Sequence, residues 1–183
     1  MKLYLIRHGQ TTGDIENRFG GSYDDNLTNL GRKQANQLGE KLKSRNINVI
    51  FHSPLLRAKQ TAQIVSKITS ISIEEKIDLR ERNFWGKLSG MKKNQAKKDF
   101  PDEFDKLKDK GINHNITDSE NYSIFKKRII GMFNEILKLN FDSVGIIFHG
   151  GPIICLMKEL GFGDVINISD CGFIEMDYDK ELK

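Results

Sequence analysis

Leu3-Tyr4-Leu5-Ile6-Arg7-His8-Gly9 stands at the start of the sequence, and its reading decides the fold. The apolar run Leu3–Ile6 has the form of a strand buried on both faces. It then stops on an arginine, a histidine and a glycine. Arginine presents a planar fork of donors that matches a phosphate. Histidine is a base or nucleophile, partly neutral near neutrality. Glycine permits a sharp turn and close approach of a ligand. A strand that hands over these residues in succession points to attack on a phosphoryl group. A tripeptide also recurs by chance, so the weight falls on what later segments add.

Outward from that run, Val49–Phe51, Ile71–Ile73, Val144–Phe148 and Phe173–Tyr178 also read as strands. The last alternates Ile174, Met176 and Tyr178 with Glu175 and Asp177, which suits an edge strand with one wet face. Helical patterns alternate with the strands. Thr28 is placed to cap a helix running to about Arg45, with Ala35, Leu38 and Leu42 on one stripe. Ser53-Pro54 reads as an N-cap followed by proline at the first helical position, and Thr61, Ile64, Val65 and Ile68 continue the inner face. Ser119 is placed to cap a long helix through Ile129, Phe133, Ile136 and Leu137. Pro152 opens a last helix, Ile153–Leu160, stopped by Gly161. Strands alternating with helices predict an α/β three-layer sandwich, a mostly parallel central sheet with helices on both faces. Residues 87–118 are polar and rich in Lys, Asp and Asn; they read as a small helical cap or lid inserted into a single domain over residues 1–183.

The bulk properties agree with one soluble domain. At 183 residues the chain can bury a real core. No apolar stretch approaches membrane-spanning length, and the apolar part of the N-terminus is too short for a secretory signal. A cytoplasmic protein with no membrane partner is expected. Cys155 and Cys171 show no metal or redox spacing and read as reduced, buried thiols. The net charge of +4 is mild and suits steering of an anionic substrate. Nucleic acid is not the expected partner. Lys92, Lys93, Lys97 and Lys98 interleave with Asp99, Asp102, Glu103 and Asp105, which makes a solvated helix face instead of a basic stripe.

Polar signals collect where strands end. The first strand ends at Arg7-His8-Gly9, the second at His52-Ser53-Pro54 with Arg57 just beyond, and the fourth at His149-Gly150-Gly151. Ligands bind at the carboxyl ends of parallel strands, at a switch in strand order. If these strands are neighbours, two histidines, two arginines and two glycine-rich turns converge. The following helix N-terminus adds free N–H groups, a seat for phosphate. A further loop, Leu79-Arg80-Glu81-Arg82-Asn83-Phe84-Trp85-Gly86, carries a carboxylate. Read alone, Glu81 is an ordinary surface ion-pair partner of Arg80 or Arg82; near a phosphate and buried, it becomes a proton donor.

These segments together resemble the histidine phosphatase superfamily, which includes phosphoglycerate mutase-like phosphatases. Leu5-Ile6-Arg7-His8-Gly9-Gln10-Thr11 is similar to the family's opening motif, and Asn17-Arg18-Phe19, Leu27-Thr28 and Leu30-Gly31-Arg32-Lys33-Gln34-Ala35 to its next block. Ser53-Pro54-Leu55-Leu56-Arg57-Ala58 with Thr61-Ala62 resembles its second arginine motif, Leu79-Arg80-Glu81 its acidic motif, and Phe148-His149-Gly150-Gly151 its second histidine motif. The resemblance implies a metal-independent phosphomonoesterase acting on a small phosphorylated metabolite. His8 would be the nucleophile, forming a phosphohistidine that water hydrolyses. Arg7, Arg57, His149 and Gly150 would hold the phosphoryl oxygens. His149 would be catalytic as well, and Glu81 would protonate the leaving oxygen and then activate water. Thr11 and Asn17 are candidates for substrate contact. No cofactor and no metal are implied.

Three positions depart from the family pattern. Gln10 stands where many members have Glu. Asp14 stands where many have Asn, and a carboxylate there repels an anion unless it turns away or Thr11 or Asn17 takes over the contact. The loop Asn83-Phe84-Trp85-Gly86 is one residue longer than usual, which bears on the aim of Glu81. His52 reads as structural, His114 as a surface residue of the cap, and Glu120 as a helix-capping, pocket-supporting carboxylate. Two other functions stay open: a phosphoglycerate mutase-type isomerase, and a non-catalytic phosphate-binding protein. The short chain favours the phosphatase, because the longer insertions of the mutases find no match in it.

Overall fold

The apolar runs become strands and the striped segments pack on them. In a computed structural model, which describes residues 1–108, 116–163 and 168–179, the elements follow in this order. β1 (Lys2–Arg7), α1 (Thr12–Ile15), α2 (Asn29–Leu42), β2 (Val49–His52), α3 (Leu56–Thr69) and β3 (Ser72–Glu75) form the first half. Then come α4 (Lys93–Asp99), α5 (Pro101–Asp105), α6 (Tyr122–Lys138), β4 (Ser143–Phe148), α7 (Gly150–Glu159) and β5 (Phe173–Asp177). The sheet order is β3-β2-β4-β1-β5. All neighbours run parallel except β5, which lies antiparallel on β1. The alternating last strand is therefore at the edge, as its pattern predicts.

Burial follows the pleat. Leu3 and Leu5 of β1 face one side, where Phe51, Val144, Ile146 and Phe148 join them under Ile129, Phe133 and Ile136 of α6 and Ile153 and Leu156 of α7. Tyr4 and Ile6 face the other side, under Leu38 and Leu42 of α2 and Ala58, Ala62 and Val65 of α3. Helices on both faces of a largely parallel sheet make the expected three-layer sandwich. α4 and α5 stand apart from both layers; Leu88, Ala96 and Ile116 bury against Phe19 in a third cluster of their own. His114 lies outside the described residues.

Three helix starts differ from the sequence reading. Thr28 does cap α2, its Oγ accepting from Gly31 N at 2.9 Å. Ser53-Pro54 does not start α3: Leu55 is the N-cap residue, and Ser53 Oγ is turned inward, where it pairs with His149 Nε2 at 2.7 Å. Asn121, not Ser119, caps α6, its side chain accepting from Ser123 N at 2.8 Å. The chain before it is pinned elsewhere, with Glu120 N donating to Asn83 O at 2.7 Å. α7 starts at Gly150, two residues ahead of Pro152. Proline is at no disadvantage there, because the first-turn N–H groups have no acceptor within the helix.

The register sets up the site. β1 and β2 flank β4, with Arg7 opposite Phe148 and His52 opposite Ile147. His8 N donates to Phe148 O at 3.1 Å and Ser53 N to Ile147 O at 3.0 Å, so the ladders extend past the strands. His8, His149 and Ser53 are thereby delivered to one level at the carboxyl edge of the sheet.

Candidate active site

His8 is 7% exposed and its ring is locked by two partners. Its Nδ1 pairs with Gly9 O at 2.8 Å and its Nε2 accepts from Arg57 Nε at 3.2 Å. A carbonyl only accepts, so Nδ1 carries the proton and the Nε2 lone pair is the reactive one. Burial, then the Arg57 guanidinium, holds the His8 pKa well below the usual histidine value. The ring is neutral at physiological pH, as a nucleophile requires. Gly9 has its own requirement: a Cβ there would meet Gly31 O at 2.7 Å, so only glycine lets this turn sit against α2.

Arg57 joins the two histidines. The same Nε–H reaches His8 Nε2 and His149 Nδ1, each at 3.2 Å. Behind it, Nη1 donates to Tyr23 O at 2.6 Å and pairs with Asp25 Oδ1 at 3.0 Å, and Nη2 donates to Gly21 O at 2.8 Å. Asp25 is 5% exposed and also accepts from Gly13 N. His149 is fully buried behind Arg57. With Nδ1 accepting, its Nε2 carries the proton and donates to Ser53 Oγ. Burial, Arg57 and His8 together push its pKa well below the usual value, so it too is neutral.

A cavity of about 300 Å³ opens onto this group, walled in part by Arg7, His8, Thr11, Arg57, Glu81 and Gly150. Arg7 is tethered through Ile168 O at 2.7 Å and Asp170 Oδ1 at 3.2 Å. Arg18 also lines it, held by Glu16 at 2.6 Å and Gly90 O at 2.6 Å. Glu81 lines the same cavity as His8. Its two carboxylate oxygens accept from Arg82 N at 2.7 Å and Gly151 N at 3.1 Å. Burial nevertheless raises its pKa above the usual carboxylate value, the two backbone donors and Arg57 opposing it. The added residue in the following loop leaves Glu81 inside the site. Arg128 secures the segment from behind, donating to Asp78 O, Arg80 O and Glu81 O at 2.9, 2.7 and 3.1 Å. Glu120 grips Arg128 through both oxygens, at 2.7 and 2.8 Å. It therefore braces the Glu81 loop and does not cap α6.

Asp14 is explained by its neighbour. Its Oδ2 accepts from Thr11 N at 2.8 Å and Thr11 Oγ1 at 2.9 Å, while Asp14 N donates back to Thr11. This is a capping box at the start of α1. Asp14 lines the cavity beside Thr11, but its Oδ2 is occupied by the two Thr11 donors, which offsets its charge there. Asn17 is not brought to the cavity wall; it is exposed with φ of +53°, and its carbonyl accepts from Lys93 N at 3.1 Å. His52 is 3% exposed, bonds Ser53 O and is structural.

Sequence reasoning missed Asp25, Arg18, Ser53 and Arg128. The Thr11-x-x-Asp14 spacing was a legible capping signal. Asp25 and the Gly21 and Tyr23 carbonyls carry none, because an irregular loop brings them to Arg57. Gly151 was also passed over in favour of Gly150. A Cβ on Gly151 would collide with Glu81 Oε1, while one on Gly150 meets nothing within 4 Å. Gly151→Ala is expected to push the Glu81 carboxylate aside and lower kcat by about tenfold to a hundredfold. Steady-state kinetics beside Gly150→Ala, expected to be far milder, checks it.

With this geometry in place, comparison with known proteins decides the family. The model of the histidine phosphatase superfamily, branch 1, matches residues 3–181. The chain belongs to that superfamily. It is 29% identical to the uncharacterized phosphatase PhoE of Bacillus subtilis, over 87% of this chain and 77% of that protein. It is 39% identical to a 2,3-bisphosphoglycerate-dependent phosphoglycerate mutase of Nitrobacter winogradskyi, but over only 55% of this chain and 51% of the mutase. The alpha-ribazole phosphatase of Shigella flexneri shares the fold at a TM-score of 0.86 with 19% identity, covering 98% of this chain and 92% of the other. Histidine phosphatases thus share the whole sandwich of this chain, and no helix of its described residues is long and apolar enough to cross a membrane.

Proposed function

We propose that the chain is a metal-independent phosphomonoesterase that hydrolyses a small phosphorylated metabolite through a phosphohistidine on His8. The observation that carries the reading is the state of His8: neutral, with Nδ1–H tied to Gly9 O and the Nε2 lone pair presented beside Arg57. His8 Nε2 attacks phosphorus as the bond to the leaving oxygen breaks. Protonated Glu81 donates its proton to that oxygen. Water then attacks the phosphohistidine, Glu81 takes a proton from it, and the N–P bond breaks to release inorganic phosphate and neutral His8. Arg7 and Arg57 hold the equatorial oxygens, with Gly150 and its neighbours at the N-terminus of α7. His149 supports this from behind, accepting from Arg57 and so fixing the plane of the guanidinium. Thr11 and Arg18 contact the phosphoryl group or what it is attached to. Residues 87–108 and 116–118, tied to the cavity wall where Arg18 donates to Gly90 O, act as a cap at the entrance.

A mutase-type isomerase is the second reading, motivated by the 39% identity over half the chain. Its discriminating result is interconversion of phosphoglycerates with slow phosphate release. A phosphatase releases phosphate steadily and does so in the presence of chelator. A trapped phosphoenzyme that is acid-labile and base-stable identifies the phosphoramidate.

The pH profile follows from Glu81. The protonated acid is the active form in the first step, and a raised pKa keeps it protonated to higher pH. The first-step rate is therefore expected to fall as pH rises through the Glu81 pKa, above the ordinary carboxylate range. His8, with its lowered pKa, stays deprotonated on the acid side. Glu81→Gln is expected to lower phosphoenzyme formation about 10²- to 10⁴-fold and to flatten the basic limb. Single-turnover rates across pH check this; an unchanged limb removes Glu81 as the acid.

A further inference from the structure

A second cavity, of about 480 Å³, continues from the phosphate cavity beyond Glu81. The two share Gly21, Glu81, Gly151 and Ile154, so a molecule whose phosphoryl group sits at His8 extends past the acid into the second space. Its walls are largely apolar: Phe84, Trp85, Tyr122, Phe125, Ile154 and Cys155. Phe84 and Trp85 meet edge to face, with ring centroids 4.7 Å apart, and Tyr122 leans on Phe125 at 6.0 Å. The one cation of the lining, Arg82, is 8% exposed. It lies over the rings of Phe84, Tyr122 and Phe125 at 5.0, 5.4 and 6.0 Å and donates to Glu120 O at 2.9 Å. It is built into the wall.

We propose that this cavity holds the leaving group, and that the preferred substrate is a phosphomonoester whose alcohol carries an aromatic ring. The inference rests on the phosphatase reading above. An aromatic ring fills such a space by offset and edge-to-face contact and gains from leaving water. A compact carboxylate-bearing alcohol, such as serine or glycerate, places a second anion near Glu81 and leaves the apolar walls unfilled. Such acids are poor substrates here.

The test compares phenethyl phosphate, ethyl phosphate and O-phosphoserine. All are esters of primary alkyl alcohols, so a difference in rate reports the pocket more than the ease of bond breaking. The expected kcat/KM for phenethyl phosphate exceeds that for ethyl phosphate by about tenfold or more, with O-phosphoserine at or below ethyl phosphate. Ile154→Lys, at a partly exposed position shared by both cavities, is expected to cut the phenethyl preference at least about fivefold and to improve O-phosphoserine relative to it. Trp85 is the one tryptophan of the chain, so binding is also read without turnover. In His8→Ala, phenethylphosphonate is expected to change the Trp85 fluorescence at concentrations where ethylphosphonate does not. A faster rate on O-phosphoserine than on phenethyl phosphate overturns the proposal. So does equal binding of the two phosphonates. Turnover by His8→Ala, in contrast, overturns the phosphohistidine reading and leaves the aromatic preference to stand or fall on the ratio.

Discussion

His8→Ala is expected to reduce phosphate release by roughly 10⁵-fold or more and to abolish the trapped phosphoenzyme. The effect is large because, in the proposed mechanism, Nε2 of His8 forms the covalent bond to phosphorus. Arg57, Arg7 and Glu81 stay behind, so phosphate still binds, but only water remains to attack. The fold should tolerate the change: the ring bonds only its neighbour Gly9 O and, at 3.2 Å, Arg57 of α3, and Arg57 keeps Tyr23 O, Gly21 O and Asp25 without it. Vanadate sharpens the experiment. It mimics the five-coordinate state by accepting a bond from the nucleophile, so wild type should bind it far more tightly than phosphate. The variant should lose that preference while keeping phosphate affinity within an order of magnitude or so. Loss of both affinities together reports a collapsed site and not a missing nucleophile.

That His8 could be picked out early reflects where it stands. Elements with strong periodicity and their ends are legible in sequence, and His8, Arg57 and His149 each follow one. Parallel pairing of β1, β4 and β2 then brings those ends together by register. The helix starts were less legible. Ser53 has the chemistry of an N-cap, but its hydroxyl has a second suitor in His149 Nε2, 96 residues away. A local rule cannot see a distant competitor. Ser119 is displaced differently: the Glu120 backbone is held by Asn83 and Arg82, and α6 starts beyond it with Asn121 as its cap. The second cavity was hidden most completely. Phe84 and Trp85 sit in a loop, Tyr122 and Phe125 on the first turn of a helix, and Ile154 and Cys155 on another. No spacing in sequence relates these three places, and a helical stripe such as Tyr122-Phe125 reads as core.

Arg57 sets the second large effect, and here stability and catalysis must be separated. Arg57 and Asp25 are 4% and 5% exposed and paired at 3.0 Å. Arg57→Ala strands a buried carboxylate and leaves the Gly21 and Tyr23 carbonyls short of a donor. A loss of about 3–5 kcal/mol is expected, or a fall in Tm on the order of 10 °C. Turnover should fall by about 10³-fold or more, because the guanidinium that offsets phosphoryl charge is gone. Activity alone would not show which loss came first. Removing the stranded partner as well does. In Arg57→Ala/Asp25→Ala the buried charge disappears with its cation, so much of the stability should return. The activity should not, because Asp25 anchors Arg57 and does no chemistry of its own. Arg57→Lys tests the same division from the other side. It keeps a positive charge near Asp25, so Tm should fall less than in Arg57→Ala. It lacks the planar fork that meets His8, His149 and the loop carbonyls at once, so kcat should still fall by about 10²-fold or more. Recovery of both Tm and kcat in the double variant would mean that Arg57 is a structural ion pair and that the other cations of the cavity, Arg7 and Arg18, carry the phosphoryl charge.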